Sequence, residues 1–338
     1  MIMSNQLLSV CCLSYNHEQY IEKCIKSIWN QNYDNIEILA LDDCSSDGSI
    51  NILNSLKEIS PVPMKVFSQK NTGNIGANFN FLFKQAMGDY IAIIACDDTF
   101  IPNTLSKKML EMTNNKNLAF ICDSKITVID ENDNVINKYP SFKLETKENL
   151  NIKELLELEY TELGSYYMQG AIYRKSIIEQ IQGFDEDMIC DDIIFRTKYS
   201  RYLLENPEFD FKIIKEPGVY YRRHSSNISK NTIRQVKGII EYLERYWFDR
   251  KPPLKLYDWI FLIDDVSKIN EILFVNNYIP KILKHINVND LLDENGICYY
   301  KIGIPGIIMY SKHRKPNEKI KIIKLFGIEI FKSVKKHK

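Results

Sequence analysis

Two pairs of adjacent acidic residues follow short apolar segments near the start of the chain, and they are the first candidates for chemistry. Asp42 and Asp43 follow "IEILAL", and Asp97 and Asp98 follow "YIAIIAC". Adjacent carboxylates repel each other, and burying either one without a partner would be costly. Ligands of open α/β sheets bind outside the carboxyl ends of the strands, so carboxylates from neighbouring strands would converge in one crevice. Such a cluster indicates a hard divalent cation, Mg²⁺ or Mn²⁺, which binds one or two carboxylates together with substrate phosphates.

Each acidic segment also has a simpler interpretation when it is taken alone. Both "DDCSSDGS" and "CDDT" supply residues that suit helix N-caps and turns. Glycine motifs for phosphate binding are missing, because "SYNHEQY", after the first apolar segment, contains no glycine, and no GxxxxGK[ST] loop occurs. A metal held by acidic residues would therefore have to offset the charge of a bound diphosphate.

Strand-like and helix-like patterns alternate along the part of the chain that carries these residues. The segments "LLSVCCL", "IEILAL", "MKVFSQ", "YIAIIAC" and "LAFICDS" predict strands, and apolar residues at spacings of three and four between them predict helices. This alternation predicts an α/β fold with a mostly parallel central sheet flanked by helices. A hairpin is predicted to turn near residues 131–134, and "FKIIK" with "GVYYRRH" predicts a further strand pair. Helical periodicity dominates from about residue 231, so we expect a boundary near residue 230 and a mainly helical C-terminal extension.

Composition restricts the class of protein. The 338 residues include 44 Lys or Arg and 44 Asp or Glu, and the resulting net charge of zero argues against a dedicated nucleic-acid-binding protein. The eight cysteines form no CxxC pair, and neither a signal peptide nor a run of about 18 apolar residues is evident. We therefore expect a reduced, cytoplasmic enzyme. The alternating apolar and basic residues of "KIIKLFGIEIFKSVKKHK" fit either a docked terminal element or a peripheral contact with the inner face of the cell membrane.

Four segments carry a resemblance to a known family. They are "LLSVCCLSYNHEQYIEKCIKSIWNQNYDNIEILALDDCSSDGS", "NTGNIGANFNFLFKQAMGDYIAIIACDDTFIP", "GFDEDMICDDIIFRTKYS" and "YYRRHSSNIS". In this order they resemble the bacterial family 2 glycosyltransferases, which have the Rossmann-like GT-A fold. The resemblance spans about residues 7–230. It implies a GT-A domain over 1–230, with a nucleotide-sugar half at about 1–125 and an acceptor half at about 126–230, followed by the extension over 231–338.

The resemblance assigns donor-binding roles to residues that follow the predicted strands. Asp43 resembles the carboxylate that contacts the nucleotide base, and Asp97 resembles a residue beside the donor ribose or sugar. Asp98, in a D-x-D-type motif, resembles the ligand of the Mn²⁺ or Mg²⁺ cofactor. The wall of the nucleoside pocket is implied at Tyr15, Asn16 and Glu18. Because Cys96 occupies the first position of the motif, we expect the metal to bind well only together with the donor.

The catalytic base of the family lies at the start of a helix, after an element that resembles "GFDE". Asp192 fits this position, with Asp191 before it and Lys198 six residues after it. Asp191 also fits if Cys190 stands in for the preceding acidic residue, so both aspartates are candidates and Asp192 is favoured. Either of them could instead be an N-terminal helix charge that the macrodipole stabilises.

The segment "YYRRHSSNIS" carries the remaining candidates. His224 is expected to be a second metal ligand or a phosphate contact, although a surface loop histidine would fit as well. Arg222 and Arg223 are each candidates to pair with diphosphate oxygens. Strand alternation points one of them away, and Arg223 is the candidate that we retain for the nucleotide sugar. His17 is expected to be a surface residue rather than a ligand.

The resemblance implies a metal-dependent inverting glycosyltransferase. Such an enzyme transfers a sugar from a nucleotide-diphosphate sugar, with a UDP-sugar favoured, to a hydroxyl of a bacterial surface glycan by single displacement. The acceptor would be a glycan or lipid-linked glycan of a capsule, O-antigen or lipooligosaccharide. Two alternatives are a sugar-1-phosphate nucleotidyltransferase, which would need a basic glycine-rich loop after the first strand, and a non-catalytic scaffold, which would be expected to lack the carboxylates.

Overall fold

The structure is a computed structural model, and it divides into two compact units, Met1–Lys230 and Asn231–Lys338. It describes residues 6–136, 144, 150–227, 230–253, 255–256 and 259, together with the backbone of four strands between 299 and 336. Among these residues, no helix is both long enough and apolar enough to cross a membrane.

The first unit alternates strands with helices. Its strands are β1 (Leu8–Ser14), β2 (Ile36–Asp42), β3 (Met64–Ser68), β4 (Tyr90–Ala95), β5 (Thr99–Phe100), β6 (Leu118–Asp123), β7 (Thr127–Asp130), β8 (Ile172–Arg174), β9 (Asp210–Ile214) and β10 (Val219–Arg223). Its helices are α1 (Ile21–Trp29), α2 (Ser49–Glu58), α3 (Ile75–Gln85), α4 (Thr104–Asn114), α5 (Ile152–Thr161), α6 (Lys175–Gln180) and α7 (Asp192–Glu205).

Seven of these strands form the central sheet, in the order β3-β2-β1-β4-β8-β6-β9. All pairs are parallel except those of β8, which is antiparallel to both β4 and β6. Every residue of β1 and β2 is buried, as expected for strands with helices on both faces. Alternate β1 residues belong to two different apolar clusters, with Cys11 in one and Cys12 in the other. This sheet confirms the predicted α/β class and its mostly parallel pairing.

The register brings the carboxyl ends of the first strands together. Ser14 lies opposite Asp42, and Leu13 lies opposite Ala95. The Asp43 amide donates to the Ser14 carbonyl at 2.9 Å. The residues that follow β1, β2 and β4 therefore share one edge of the sheet.

A smaller sheet lies beside this edge. It has the order β5-β10-β7, with β10 antiparallel to β5 and parallel to β7. The strand pair expected from "FKIIK" and "GVYYRRH" is wrong, because β9 pairs with β6 in the large sheet while β10 joins the small one. The expected hairpin near residues 131–134 is confirmed, since Ile129 and Val135 form an antiparallel bridge across it.

The second unit contains helix α8 (Thr232–Tyr246) and four strands, β11 (Tyr299–Ile304), β12 (Ile308–Lys315), β13 (Glu318–Leu325) and β14 (Ile328–Lys336). These strands form an antiparallel sheet in chain order. The prediction of a mainly helical extension is therefore wrong for residues 299–336. Apolar and basic residues alternate along "EKIKIIKL", and a period of two favours a strand over a helix. The helical periodicity predicted from about residue 231 also covers "LYDWIFLIDDVSKINEILF", most of which lies outside the described residues.

Candidate active site

A tight turn at the end of β4 carries Asp97 and Asp98, and we call it the acidic turn. The Asp98 amide closes the turn by donating to the Ala95 carbonyl at 3.0 Å. Gln169 holds the preceding strand end, since its Oε1 accepts from the Ala95 amide at 2.7 Å. The two aspartate side chains are nearly buried, 7% exposed for Asp97 and 1% for Asp98. The acidic turn therefore buries two adjacent carboxylates, and each of them needs its own compensation.

Asp97 is compensated by two imidazoles. The Nε2 of His224 lies 3.0 Å from its Oδ2, and the Nε2 of His17 lies 3.8 Å from the same oxygen. Burial alone would raise the pKa of Asp97, but the hydrogen bond from His224 and the charges of both histidines outweigh it, so the pKa lies below its usual value. His17 is thus not the surface residue that we expected.

These three side chains could also hold a metal ion. One ligand atom from each of His17, Asp97 and His224 lies within 4.8 Å of the others. The second oxygen of Asp97, Oδ1, and the Nδ1 of His17 are buried without a hydrogen-bond partner among the described residues. Buried polar atoms are seldom left unsatisfied, so free lone pairs at this position are consistent with a cation ligand.

Asp98 has different surroundings. Its Oδ1 accepts from the Arg222 amide at 2.7 Å, and its Oδ2 accepts from the Tyr167 hydroxyl at 3.3 Å. Burial and the neighbouring Asp97 carboxylate raise the pKa of Asp98 well above its usual value. The geometry therefore groups Asp97, and not Asp98, with the histidines, although the sequence favoured Asp98 as the direct metal ligand.

The loop after β10 places His224. Its Nδ1 lies 2.8 Å from the Ser226 hydroxyl, and its amide donates to Asn227 Oδ1 at 2.6 Å. Arg222 is fully buried, where its Nε donates to the Asp97 carbonyl at 2.9 Å and its Nη1 lies 2.6 Å from an Asp133 oxygen. Arg222 thus anchors the acidic turn, and the alternation of the strand leaves Arg223 exposed.

The residues expected around the nucleoside lie at the ends of β1 and β2. Asp43 is 5% exposed, and its Oδ1 accepts from the Thr72 amide at 3.1 Å. Asn16, at a positive φ of 56°, accepts the Ser46 amide on its side-chain oxygen at 2.8 Å. Glu18 accepts the Gly48 amide at the start of α2 at 2.6 Å, while Tyr15 is 47% exposed. Asn16 and Glu18 thus tie the loop after β1 to the loop after β2, and Tyr15 remains open for contact.

The second pair of aspartates begins α7. Asp191 is the N-cap, and its Oδ1 accepts the Asp192 amide at 2.7 Å. Burial, followed by the Asp191 carboxylate, raises the pKa of Asp192 to about 7, while Arg196 acts in the opposite direction. The Asp192 side chain nevertheless keeps 41% of its surface exposed, so water reaches it and moderates that rise. Asp192 therefore combines an elevated pKa with access for a substrate.

Asp192 lies next to a buried ion pair between Arg196 and Glu159. The Arg196 Nη1 lies 3.6 Å from Asp192 Oδ2, one helical turn away. The Nε of the same guanidinium donates to both oxygens of Glu159, at 3.0 and 3.2 Å. Glu159 is fully buried and also accepts from the Ser165 hydroxyl. Arg196 is therefore fixed by Glu159, and it presents one nitrogen to the candidate base.

Tyr167 connects the acidic turn with Asp192. Burial raises the pKa of Tyr167 well above its usual value, and the carboxylates of Asp98 and Asp192 both add to the rise. Gln169 Nε2 donates to the Tyr167 hydroxyl at 2.8 Å. Carboxylates from both acidic segments, Asp98 and Asp192, therefore act on the same phenol. Sequence reasoning missed this residue, because "SYYMQG" follows no predicted strand and shows no acidic signal.

An open α/β sheet with carboxylates at the carboxyl ends of its strands is the architecture of nucleotide-binding α/β enzymes. The family follows from the sequence match. Residues 9–182, slightly more than half of the chain, match the family model for glycosyl transferase family 2. The chain belongs to this family and is a glycosyltransferase.

Curated relatives agree with this assignment. An uncharacterized glycosyltransferase of Nostoc is 27% identical over 228 residues, which cover 65% of this chain and 66% of the relative. A GalNAc(5)-diNAcBac-PP-undecaprenol beta-1,3-glucosyltransferase of Campylobacter jejuni is 24% identical over 238 residues, which cover 69% of this chain and 72% of the relative. Just under two thirds of the Nostoc protein is therefore spanned.

Two solved structures share the GT-A fold. One is S. aureus TarS 1-349 in complex with UDP-GlcNAc, with a TM-score of 0.55 at 17% identity over 84% of this chain and 77% of that one. The other is the mannosyltransferase PcManGT from Pyrobaculum calidifontis in complex with GDP-Man and Mn²⁺, with a TM-score of 0.51 at 14% identity over 80% and 75%. At these identities the likeness concerns the fold.

Proposed function

We propose that the protein is a metal-dependent, inverting glycosyltransferase that transfers a sugar from a nucleotide-diphosphate sugar to a hydroxyl of a bacterial surface glycan. The observation that carries the proposal is the cluster of His17, Asp97 and His224, whose ligand atoms lie within 4.8 Å of one another. A cluster that could bind a cation and a carboxylate that could act as a base are the two parts that inverting transfer needs.

Asp192 is the proposed general base. Its carboxylate takes the proton from the acceptor hydroxyl while that oxygen forms a bond to the anomeric carbon of the donor. The bond from the anomeric carbon to the diphosphate oxygen breaks at the same time, and the nucleoside diphosphate leaves with the electron pair. A base with a pKa near the operating pH is the most effective at this task, and it contributes about 10²–10⁴-fold. Asp191 remains the alternative base.

The proposed metal ligands are Asp97, His224 and His17. Asp98, the ligand that the sequence favoured, is the next residue after Asp97 and is retained as a further candidate. A divalent ion bound there would supply a positive charge for the diphosphate of the donor. A set with two imidazoles suits Mn²⁺ better than Mg²⁺, which prefers oxygen ligands alone. The Mn²⁺ in the PcManGT complex supports the same choice.

The donor is proposed to lie along the ends of β1, β2 and β4. Asp43 would contact the base, and the loop that carries Tyr15, Asn16 and Glu18 would form the wall of the nucleoside pocket. Arg223, exposed at the end of β10, is retained as a contact for the diphosphate. The UDP-GlcNAc in the TarS complex favours a UDP-sugar, and the undecaprenol-linked substrate in the name of the Campylobacter relative favours a lipid-linked glycan acceptor. Such an acceptor fits a cytoplasmic enzyme working at the inner face of the membrane.

The test is the hydrolysis of a panel of UDP-, GDP- and dTDP-sugars with Mn²⁺, with Mg²⁺ and with EDTA. One donor is expected to be hydrolysed with Mn²⁺ and to be left intact with EDTA. Activity that survives EDTA would remove the metal from the proposal.

A variant pair then locates the metal. His224→Gln is expected to raise the Mn²⁺ concentration for half-maximal rate by about tenfold or more, because it removes a nitrogen ligand. Ser225→Ala, an exposed position in the same loop, is the matched control and should leave that concentration unchanged. An unchanged Mn²⁺ dependence in His224→Gln would place the metal elsewhere.

A further inference from the structure

The four C-terminal strands carry a strong excess of positive charge. Strands β11 to β14 contain ten Lys or Arg residues and two Glu residues, a net charge of +8. The whole chain has a net charge of zero, so the remaining residues carry a compensating −8. This separation of charge concentrates the basic residues in one small sheet.

The antiparallel register sorts these charges between the two faces, because directly opposite residues share a face. Lys312 lies opposite Lys321, and Arg314 lies opposite Lys319, which in turn lies opposite Lys335. Positions in the same strand are two residues apart, and positions in neighbouring strands lie directly opposite each other, so all five occupy one face. We call it the basic face. No acidic residue of the described strands shares this face.

The opposite face differs in its charge balance. Glu318 lies opposite both Lys315 and Lys336, and Glu329 lies opposite Lys324. Both glutamates of the sheet are thus on this second face, where they offset part of its positive charge. The second face therefore carries five lysines and two glutamates, a net charge of +3, whereas the basic face carries five cations and no acidic residue, a net charge of +5.

Apolar positions adjoin the cations on the basic face. One row across the sheet runs through Ile302, Tyr310, Ile323 and Phe331, and the next runs through Ile304, Ile308, Leu325 and Ile328. Along the strands, the basic face therefore changes from an apolar half to a basic half. Elements that lie in a membrane interface combine apolar residues for the acyl boundary with Lys and Arg for anionic headgroups.

We propose that the basic face of this sheet is a docking surface for an anionic lipid bilayer. Charge complementarity selects the partner, because five cations without an acidic neighbour match a surface of phosphate-bearing headgroups. The adjoining apolar rows favour a bilayer over a soluble polyanion, which offers no apolar phase. The proposal concerns a surface outside the glycosyltransferase unit and does not depend on the reaction proposed above.

Two triple variants of the full chain test the proposal. Lys312→Gln, Lys321→Gln and Lys335→Gln together neutralise the basic face. Lys315→Gln, Lys324→Gln and Lys332→Gln together are the matched control, because they remove the same charge from the same three strands on the other face. Binding is measured by co-sedimentation with vesicles of phosphatidylglycerol and phosphatidylcholine, and with vesicles of phosphatidylcholine alone.

The wild-type protein is expected to bind the anionic vesicles and not the neutral ones. Its binding should weaken as the salt concentration is raised. Each basic residue near an anionic surface changes the partition coefficient by about fivefold, so the basic-face variant should lose about 100-fold. The control variant should lose less than about tenfold. Circular dichroism and donor hydrolysis without vesicles are expected to be the same for all three proteins, which separates lipid binding from folding and from catalysis.

Three results would overturn the proposal. The wild-type protein could bind neutral and anionic vesicles equally, or fail to bind either. The two triple variants could lose the same affinity, which would mean that net charge alone attracts the protein. Soluble heparin could bind as tightly as the vesicles with the same dependence on face, which would identify the partner as a soluble polyanion.

Discussion

Replacing Asp191 by Asn distinguishes the two candidate bases, because the substitution removes a charge and keeps a hydrogen bond. Asp191 caps α7 by accepting the Asp192 amide at 2.7 Å, and an Asn side chain has an oxygen that accepts equally well. The helix is therefore expected to start as before. Asp192, however, loses the neighbouring carboxylate that helps to raise its pKa to about 7.

The size of the effect follows from the ionised fraction of Asp192. With a pKa of about 7, about one tenth of the Asp192 side chains are ionised at pH 6 and about nine tenths at pH 8. A like charge shifts a neighbouring pKa by about 1–3 units, and we take about 1 because 41% of the side chain is exposed to water. Half of the variant would then be ionised at pH 6 and nearly all of it at pH 8.

The expected result is a change in the pH dependence of kcat/KM. The base acts in its ionised form, so kcat/KM rises with pH through the pKa of the free enzyme. The ratio of Asp191→Asn to wild-type kcat/KM should be about fivefold larger at pH 6 than at pH 8. The lower pKa also makes Asp192 a weaker base, which lowers kcat/KM by the same factor at pH 6 and at pH 8. This factor therefore cancels when the two pH values are compared.

The assay is the initial rate of donor hydrolysis or transfer between about pH 5.5 and pH 8.5, with thermal unfolding as the control for folding. Asp192→Asn is the companion variant, and it should lose about 10²–10⁴-fold in kcat while donor affinity stays within about twofold. If Asp191→Asn abolishes transfer and Asp192→Asn retains it, the base is Asp191. If the acidic limb of the Asp191→Asn profile does not move, the Asp191 carboxylate does not raise the pKa of the base.

Two further predictions concern buried polar contacts. Lys108→Met should destabilise the first unit by about 3–5 kcal/mol, because it leaves the Asp123 carboxylate buried without its partner at 2.5 Å. Unfolding is measured by calorimetry, and Lys107→Met, at an exposed position of the same helix, is the control. Tyr167→Phe removes the hydroxyl that donates to Asp98 and accepts from Gln169, and it should lower kcat about fivefold; an unchanged kcat would show that this hydroxyl has no role in the reaction.

The sequence predicts most of the first unit because its strands carry a strong local signal. Segments such as "IEILALD" are apolar throughout and end in acidic residues, so both the strand and its position in a parallel sheet can be inferred. The convergence of strand ends followed from the general rule for open sheets and needed no knowledge of distances. Family membership followed from several short segments in order.

The wrong predictions have a common physical reason. The residues of a short segment carry little information about which distant strand or side chain it contacts. Strand β10 pairs with β5 and β7 instead of its chain neighbour β9, and that choice places His224 beside the acidic turn. His17 was taken for a surface residue because its partner, Asp97, lies 80 residues away in the chain. The C-terminal strands were missed because aromatic and apolar residues upstream suggested that helices continue.

The two carboxylate pairs are chemically alike, and their neighbours give them different properties. In the acidic turn, two imidazoles keep the pKa of Asp97 low, so one ionised carboxylate remains beside two imidazole nitrogens. At the start of α7, burial and Asp191 bring the pKa of Asp192 to about 7, where a proton can be taken up and released near neutral pH. Titratable groups whose surroundings push their pKa values apart are suited to different tasks. A group that stays ionised suits a cation, and a group that titrates near neutrality suits the transfer of a proton from an acceptor hydroxyl.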